Sequence, residues 1–492
     1  MRIDRGWWRA GWVLIGIKAD RQPGGHTGCM TSVLFDSALM ARYGTSGPRY
    51  ISYPTTLHFH AGFSEVDLRT AVSASNEELI PRDLSLYVHV PYCFNRWFQC
   101  RCRQAVGTKG GHEADRYLAY LAREVALTAS LFDRDRKVVQ LRFGGGTPNF
   151  LDTERMRALM RTLDDGFSLS RGPEREFAVE IDPEFASVEQ VAALAELGLN
   201  RMSLGIQDFD PRMREAVNRV HSVERVRELM QTGRSHGVDS ISVDVIYGLP
   251  HQSVDGFSRT LEQVVELAPD RIAAYSHTHS PQSLQARWHV PTAKLPDAPI
   301  KSAMFGRMLE MFTAAGYVYL GMEQFVRAED ELARAQRAGT LQRNVQGYST
   351  HGDGDIVGLG VSAIGRIGDS YSQNLGDLPG YYAALDAGHL PVARGFQLSD
   401  DDLIRRELIG QLVCHGRVNK SEFSDRHRLL FDVYFAADLR RLAPLVEDDL
   451  VRMDGQVLEV TPRGRLLVRH VAMCFDAYLH DGPSRTGSSR AS

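Results

Sequence analysis

The chain has 492 residues, 43% hydrophobic and 24% charged, a balance that buries a large core and excludes disorder as the main state. With 57 Lys and Arg against 61 Asp and Glu, the net charge of −4 excludes a surface built throughout for nucleic acid or anionic lipid. Six cysteines are too few for a disulfide scaffold at this length, and no apolar run reaches the roughly 20 residues of a membrane helix.

Residues 1–29 carry a basic start and a short apolar stretch, but no clear small-residue cleavage site follows. They read as a poorly ordered extension that includes Trp7, Trp8 and Trp12, with Met30 as the natural first residue of the folded protein. Strand-like runs then recur at 85–90, 138–144, 176–182, 201–206, 240–248 and 271–277. Several are nearly continuous β-formers, as expected of strands covered on both faces. Helical patterns lie between them at 113–131, 152–164, 187–197, 223–236 and 254–267, and Val223, Val226, Leu229 and Met230 mark one apolar face of the fourth. This α/β alternation demands parallel strands with right-handed crossovers. An open doubly wound sheet and a full or partial barrel both satisfy it, and both place ligands at the carboxyl ends of the strands.

Beyond residue 285 the rhythm changes. Residues 297–316 read as a helix and 339–378 as Gly-rich and loop-like. From 399 helices dominate, opened by a Ser cap and an acidic first turn. A hairpin turning at Asp454-Gly455 and a last helix suggest a winged-helix module, and the tail 481–492 reads as disordered. Arg452, Arg463, Arg465 and Arg469 raise a nucleic-acid reading, but a solvated basic face is the favoured one and no nucleic-acid partner is expected.

The chemistry concentrates at strand ends. Cys93, Cys100 and Cys102 fall on the loop after the first strand, where thiolates can reach a metal or an iron–sulfur cluster. Their spacing matches no common zinc knuckle. Cys414 and Cys474 read as buried small hydrophobes, and Cys29 is isolated. The next strand ends in RFGGGTPNF, whose glycines let backbone approach a ligand closely, although the dinucleotide fingerprint and the P-loop lysine are absent. Glu180, Gln207 and Asp244 occupy further strand ends.

Ordered blocks along nearly the whole chain resemble the oxygen-independent coproporphyrinogen III oxidases, radical S-adenosylmethionine (SAM) enzymes of haem biosynthesis. They include SGPRYISYPT (46–55), LYVHVPYC (86–93), GGGTP (144–148), RMSLGIQDFD (201–210), DVIYGLP (244–250), GMEQF (321–325), RNVQGYST (343–350) and GLGVSAIG (358–365). The related haem-chaperone branch has a similar barrel but a shorter chain, and the length and the arm motif favour the oxidase branch. The resemblance implies a partial (β/α)6 barrel at 78–315, an N-terminal arm at 30–77, a connecting Gly-rich region at 316–398 that closes the site, and a mainly helical C-terminal domain at 399–480. It implies a [4Fe–4S] cluster and two SAM molecules. Tyr87, Gly145, Glu180 and Ile364 would lie about the first SAM. Gly146, Thr147, Gln207, Arg219, Asp244 and Thr278 would surround the second, with Gln99 where the family has a Phe.

The family's cluster ligands are spaced C-x3-C-x2-C, which falls here on Cys93, Trp97 and Cys100. An indole cannot replace a thiolate, so Trp97 leaves the cluster one anchor short, and Cys102 is the candidate substitute. With a cluster in place, the implied reaction takes a β-hydrogen from each of two propionates of coproporphyrinogen III. CO2 and one electron are lost per round, leaving vinyl groups and giving protoporphyrinogen IX. The alternative is an inactive homologue that binds porphyrin, haem or SAM. Arg49 is a candidate partner for a substrate carboxylate. His277 and His279 are expected to line the substrate side or cap a strand end. The remaining expectations are an electron donor such as flavodoxin or ferredoxin, a monomeric state and a cytoplasmic location.

Overall fold

The structure, a computed structural model, describes residues 33–44, 47–94, 111–213, 221–277 and 295–480. The extension, its tryptophans and the tail lie outside the described residues.

Six strands carry the centre: β1 (Leu84–Val90), β2 (Lys137–Gly145), β3 (Glu176–Ile181), β4 (Arg201–Gln207), β5 (Ser240–Tyr247) and β6 (Arg271–Ser276). They lie side by side in chain order, each parallel to the next. Leu84, Leu86, Val88 and Val90 of β1 are at most 1% exposed, while the alternate residues carry polar groups to the other face. There Ser85 Oγ donates to Gln140 Oε1 at 2.9 Å, and Gln140 Nε2 donates to Glu176 Oε2 at 2.7 Å. One face therefore packs under helices and the other lines a polar interior.

The crossover helices start where their sequences provide a cap. Ser187, Ser222 and Ser253 accept hydrogen bonds from the amides of Gln190, Arg225 and Gly256, satisfying donors that a helix start leaves open. The helix Val254–Leu267 then buries Phe257, Leu261, Val264 and Leu267 at helical spacing.

The sheet is not closed among the described strands. On one side it continues through the antiparallel hairpin β7 (Tyr317–Gly321) and β8 (Gln324–Arg327). On the other, β9 (Asp355–Leu359) runs parallel to β1. Beyond it come β10 (Ile364–Ile367), β11 (Ser370–Asn374) and β12 (Val392–Gln397), all antiparallel. The architecture is thus the partial α/β barrel, extended at both edges.

The loop-like reading of 339–378 is corrected: the stretch holds β9, β10, β11 and a short hairpin that pairs Gln342–Asn344 with Gly347–Ser349. Its glycines misled because some serve the sheet itself. A Cβ on Gly358 would lie 2.7 Å from the Ile364 backbone, so the close approach of β10 needs glycine there.

The C-terminal region starts with the helix Asp400–His415, capped by Ser399 and Asp402 in a reciprocal box. A three-stranded antiparallel sheet follows, and its hairpin turns at Asp454, whose side chain accepts from the Gln456 and Val457 amides. The expectation of a solvated basic face holds at the exposed Arg452 and is corrected at Arg463 and Arg465. Arg465 is 7% exposed and donates to the Tyr319 and Leu320 carbonyls, and Arg463 pairs with Asp36 at 2.8 Å. These arginines join the C-terminal region to β7 and to the arm.

One buried ion pair joins the arm to the sheet. Arg136 and Asp355 meet at 2.6 Å with side chains 1% and 0% exposed. Arg136 also donates to the Arg82 carbonyl and Asn76 Oδ1, while Asp355 accepts from Ser75 of the arm helix Glu65–Asn76 and from the Gly368 amide.

Candidate active site at the strand ends

The loops at the carboxyl ends of β1 and β2 are bound to each other. Gly146 N donates to Val90 O at 2.8 Å and Thr147 N to Tyr92 O at 2.7 Å. A Cβ on Gly146 would lie 2.5 Å from Tyr92 O, and one on Gly145 (φ 111°) would lie 2.7 Å from the His89 ring. The glycines that the sequence suggests for ligand approach are therefore required first by this contact with the loop that bears Cys93. Asn149 then ties the Gly-rich loop to the end of β3, accepting from Asp182 N at 2.9 Å and donating to Asp182 O.

Gly144, Tyr87 and Glu180 converge: a Cβ on Gly144 would sit 3.1 Å from both the Tyr87 ring and Glu180 Oε1. Arg142 Nη2 donates to Glu180 Oε1 at 2.8 Å, and its Nη1 reaches the Gln346 carbonyl at 3.3 Å. Burial disfavours the Arg142 charge, but Glu180 more than offsets this and holds the guanidinium protonated. Burial, followed by the Asp244 carboxylate, pushes the Tyr275 hydroxyl well above its ordinary value. Arg49 lies over that ring at 5.1 Å and pairs with Glu323 at 3.5 Å. Burial lowers the His89 pKa to about 4, so the ring is neutral at neutral pH, with Nδ1 3.3 Å from Tyr87 Oη.

The ends of β4 and β5 are held by a buried network. Gln252 accepts from the Gly248 and Leu249 amides and donates to Asp208 Oδ2 at 2.6 Å, and Asp208 also accepts from Thr260. Next to it Gln207 is 6% exposed in a left-handed backbone conformation (φ 67°), and its Oε1 has no hydrogen-bond partner among the described residues. Such strain in a non-glycine residue clusters at ligand sites.

Of the described predicted residues, Gly145, Gly146, Thr147, Glu180 and Gln207 lie at or near the carboxyl ends of β2–β4, while Tyr87 and Asp244 sit mid-strand in β1 and β5. Ile364 opens β10, against Gly358 of β9. Cys93 is buried just beyond β1. Gln99, Arg219, Thr278, His279, Trp97, Cys100 and Cys102 lie outside the described residues. His277 follows β6, its amide donating to Tyr247 O at 2.8 Å. Cys414 and Cys474 are buried, and burial pushes their thiols up to about 12 and about 11. Sequence reasoning missed Arg142, Tyr275 and the Asp208–Gln252 pair. An arginine at an inward position of a buried strand was the available signal for the first.

The arrangement suits a ligand with several donors. Gln207 Oε1 is an unused buried acceptor, and Glu180 Oε2 has no hydrogen bond within the described residues. Both fit the amino and hydroxyl groups of SAM. Among the described residues no three His, Cys, Asp or Glu side chains gather as metal ligands, and Cys93 is the one described member of the cysteine cluster.

The radical SAM superfamily model matches residues 91–264, and the HemN C-terminal domain model matches 398–467. The fold is accordingly that of a radical SAM enzyme, a class that uses a [4Fe–4S] cluster and SAM. The chain is 42% identical over 453 residues to the oxygen-independent coproporphyrinogen III oxidase of Pseudomonas aeruginosa, covering 92% of this chain and 97% of that one. It is 41% identical over 445 residues to the Escherichia coli protein of the same name, covering 90% and 96%. The solved structure of coproporphyrinogen III oxidase (HemN) from Escherichia coli superposes with a TM-score of 0.85 at 40% identity, covering 91% of this chain and 100% of that one. The chain belongs to the oxygen-independent coproporphyrinogen III oxidase family. This kinship favours the enzyme over the inactive homologue. No helix among the described residues is long and apolar enough to cross a membrane.

Proposed function

We propose that this chain removes two propionate carboxyls of coproporphyrinogen III as CO2, leaving the vinyl groups of protoporphyrinogen IX. The observation that carries this reading is kinship over nearly the full length of both chains, together with a polar strand-end set in which Arg142 and Glu180 are already paired. When bound, the cluster and SAM supply the one-electron chemistry that takes hydrogen from each propionate.

The chain's own groups bind and orient. Arg142 occupies Glu180 Oε1 and leaves Oε2 to accept from a SAM amino or ribose group. Gly145 presents backbone to the same molecule, with Tyr87 and Ile364 beside it. Gln207 offers its unused acceptor to a second SAM, bordered by Gly146, Thr147 and Asp244 and, outside the described residues, by Gln99, Arg219 and Thr278. Arg49, held over Tyr275 with only a 3.5 Å contact to Glu323, is positioned to pair with a propionate. His89 stays neutral and adds no charge to the interior. Three thiolates are needed, and Trp97 provides none. Cys414 and Cys474 lie buried in the C-terminal region, and Cys102, two residues beyond Cys100, would be the substitute third ligand beside Cys93 and Cys100. The reading includes a cytoplasmic monomer that receives electrons from a flavodoxin or ferredoxin.

Iron and sulfide analysis of anaerobically reconstituted protein tests this. Wild type and Trp97→Cys are expected to hold a cluster, with Trp97→Cys higher. Cys102→Ser is expected to fall to background. A full cluster in Cys102→Ser overturns the ligand assignment. A loaded wild type that cleaves SAM yet forms no vinyl product overturns the reaction.

A further inference from the structure

A cavity of about 910 Å³ lies between the arm at Tyr50–Tyr53, the segment 339–345 and the helix Asp400–His415. None of the strand-end residues described above lines it. The hairpin 342–349 faces two ways. Gln346 and Ser349 bond Arg142 and Gln140 of the barrel interior, while Gln342, Arg343 and Asn344 line the cavity.

The lining has cationic groups that the protein leaves without matching anions. Arg343 stacks on the Tyr348 ring at 4.6 Å and donates to the Arg49 carbonyl, and it forms no ion pair among the described residues. Arg366 gives Nη2 to the Gly352 and Gly354 carbonyls, both at 2.7 Å, and likewise forms no ion pair among them. Arg406 reaches its nearest carboxylate, Asp369, only at 3.9 Å. Among the described residues, four buried nitrogens on lining side chains, Arg366 Nε, Arg406 Nη1, Asn344 Nδ2 and His415 Nδ1, have no hydrogen-bond partner. Leaving buried polar groups open is costly, and it marks these side chains as under-satisfied within the protein. Burial, and next the neighbouring Arg406 charge, lower the Arg366 pKa, and the Asp355 carboxylate only partly opposes them. Acidic groups also line the space: Glu407 is held by Arg426 and His427, and Asp353 and Glu422 are exposed.

We propose that this cavity is a second, non-catalytic site for a ligand bearing two or more carboxylate or phosphate groups, which pair with Arg343, Arg366 and Arg406. The volume falls in the range of cavities that enclose a large organic ligand. Resting on the function proposed above, the ligand closest at hand is a tetrapyrrole with propionate arms, held here beside the barrel.

Full-length protein is titrated with coproporphyrin III, which does not turn over, and binding is read by its fluorescence. Two classes of site are expected in wild type. Arg406→Gln should weaken one class by about tenfold or more and leave the other unchanged, as should Arg366→Gln. Arg406 has no short contact to lose, so its variant keeps the test open if Arg366→Gln fails to fold. The uncharged tetramethyl ester should not fill the affected class. Competition by pyrophosphate in that class assigns the site to phosphate ligands, and no competition assigns it to carboxylates. A single class in wild type, or Arg406→Gln within twofold at both classes, overturns the proposal. Loss of vinyl formation with both classes intact counts against the reaction and not against this cavity.

Discussion

Asp355→Asn removes the carboxylate of the buried pair and leaves the Arg136 guanidinium, 1% exposed, with no other ion-pair partner among the described residues. Asn keeps an oxygen for the Gly368 amide but turns its NH2 toward the Arg136 and Ser75 donors, so the charge and the acceptor they share are both lost. Breaking one partner of such a pair costs about 3–5 kcal/mol, because the surviving charge must stay in a low-dielectric site. Removing both charges costs less, since no ion is then stranded. We therefore expect Asp355→Asn to lose about 3–5 kcal/mol, and Arg136→Met with Asp355→Asn to lose less than Asp355→Asn alone. Urea unfolding followed by far-UV circular dichroism measures both, provided the slopes agree. A cost below about 1 kcal/mol for the single variant would refute the reasoning. So would a double variant whose cost is the sum of the two singles, since the coupling between the charges would then be absent.

Two further outcomes follow from the site. Burial holds the His89 pKa at about 4, below its unfolded value of about 6.5, so between these values the unfolded chain binds more protons. Stability should fall as pH drops through that window, by up to about 3 kcal/mol, and His89→Gln should flatten the profile; an unchanged profile in urea titrations at pH 4–7 would remove His89 as its source. Gly146→Ala places a methyl 2.5 Å from the Tyr92 carbonyl, which should cost about 1–3 kcal/mol and weaken SAM binding by calorimetry. The control Gly410→Ala meets nothing within 4 Å and should leave SAM binding unchanged, so equal losses in the two variants would count against the packing argument.

The sequence alone determined the six parallel strands, their crossover helices and the end of the sheet that carries the chemistry. Runs of β-formers and the helical spacing between them are local properties of the chain, and those strand boundaries fall within about two residues of the observed ones. The motif positions along the barrel were also legible, including the indole at Trp97 where a thiolate is needed. Tertiary structure alone decided the rest. Arg142 faces Glu180, Arg49 reaches Tyr275, and Arg465 of the last region turns inward to carbonyls of β7. Those contacts join residues far apart in the chain, and no local pattern records which distant group a charged side chain will meet. The glycines of 339–378 looked like a loop for the same reason. Their role is set by how near a neighbouring strand comes, a distance that exists only once the chain has folded.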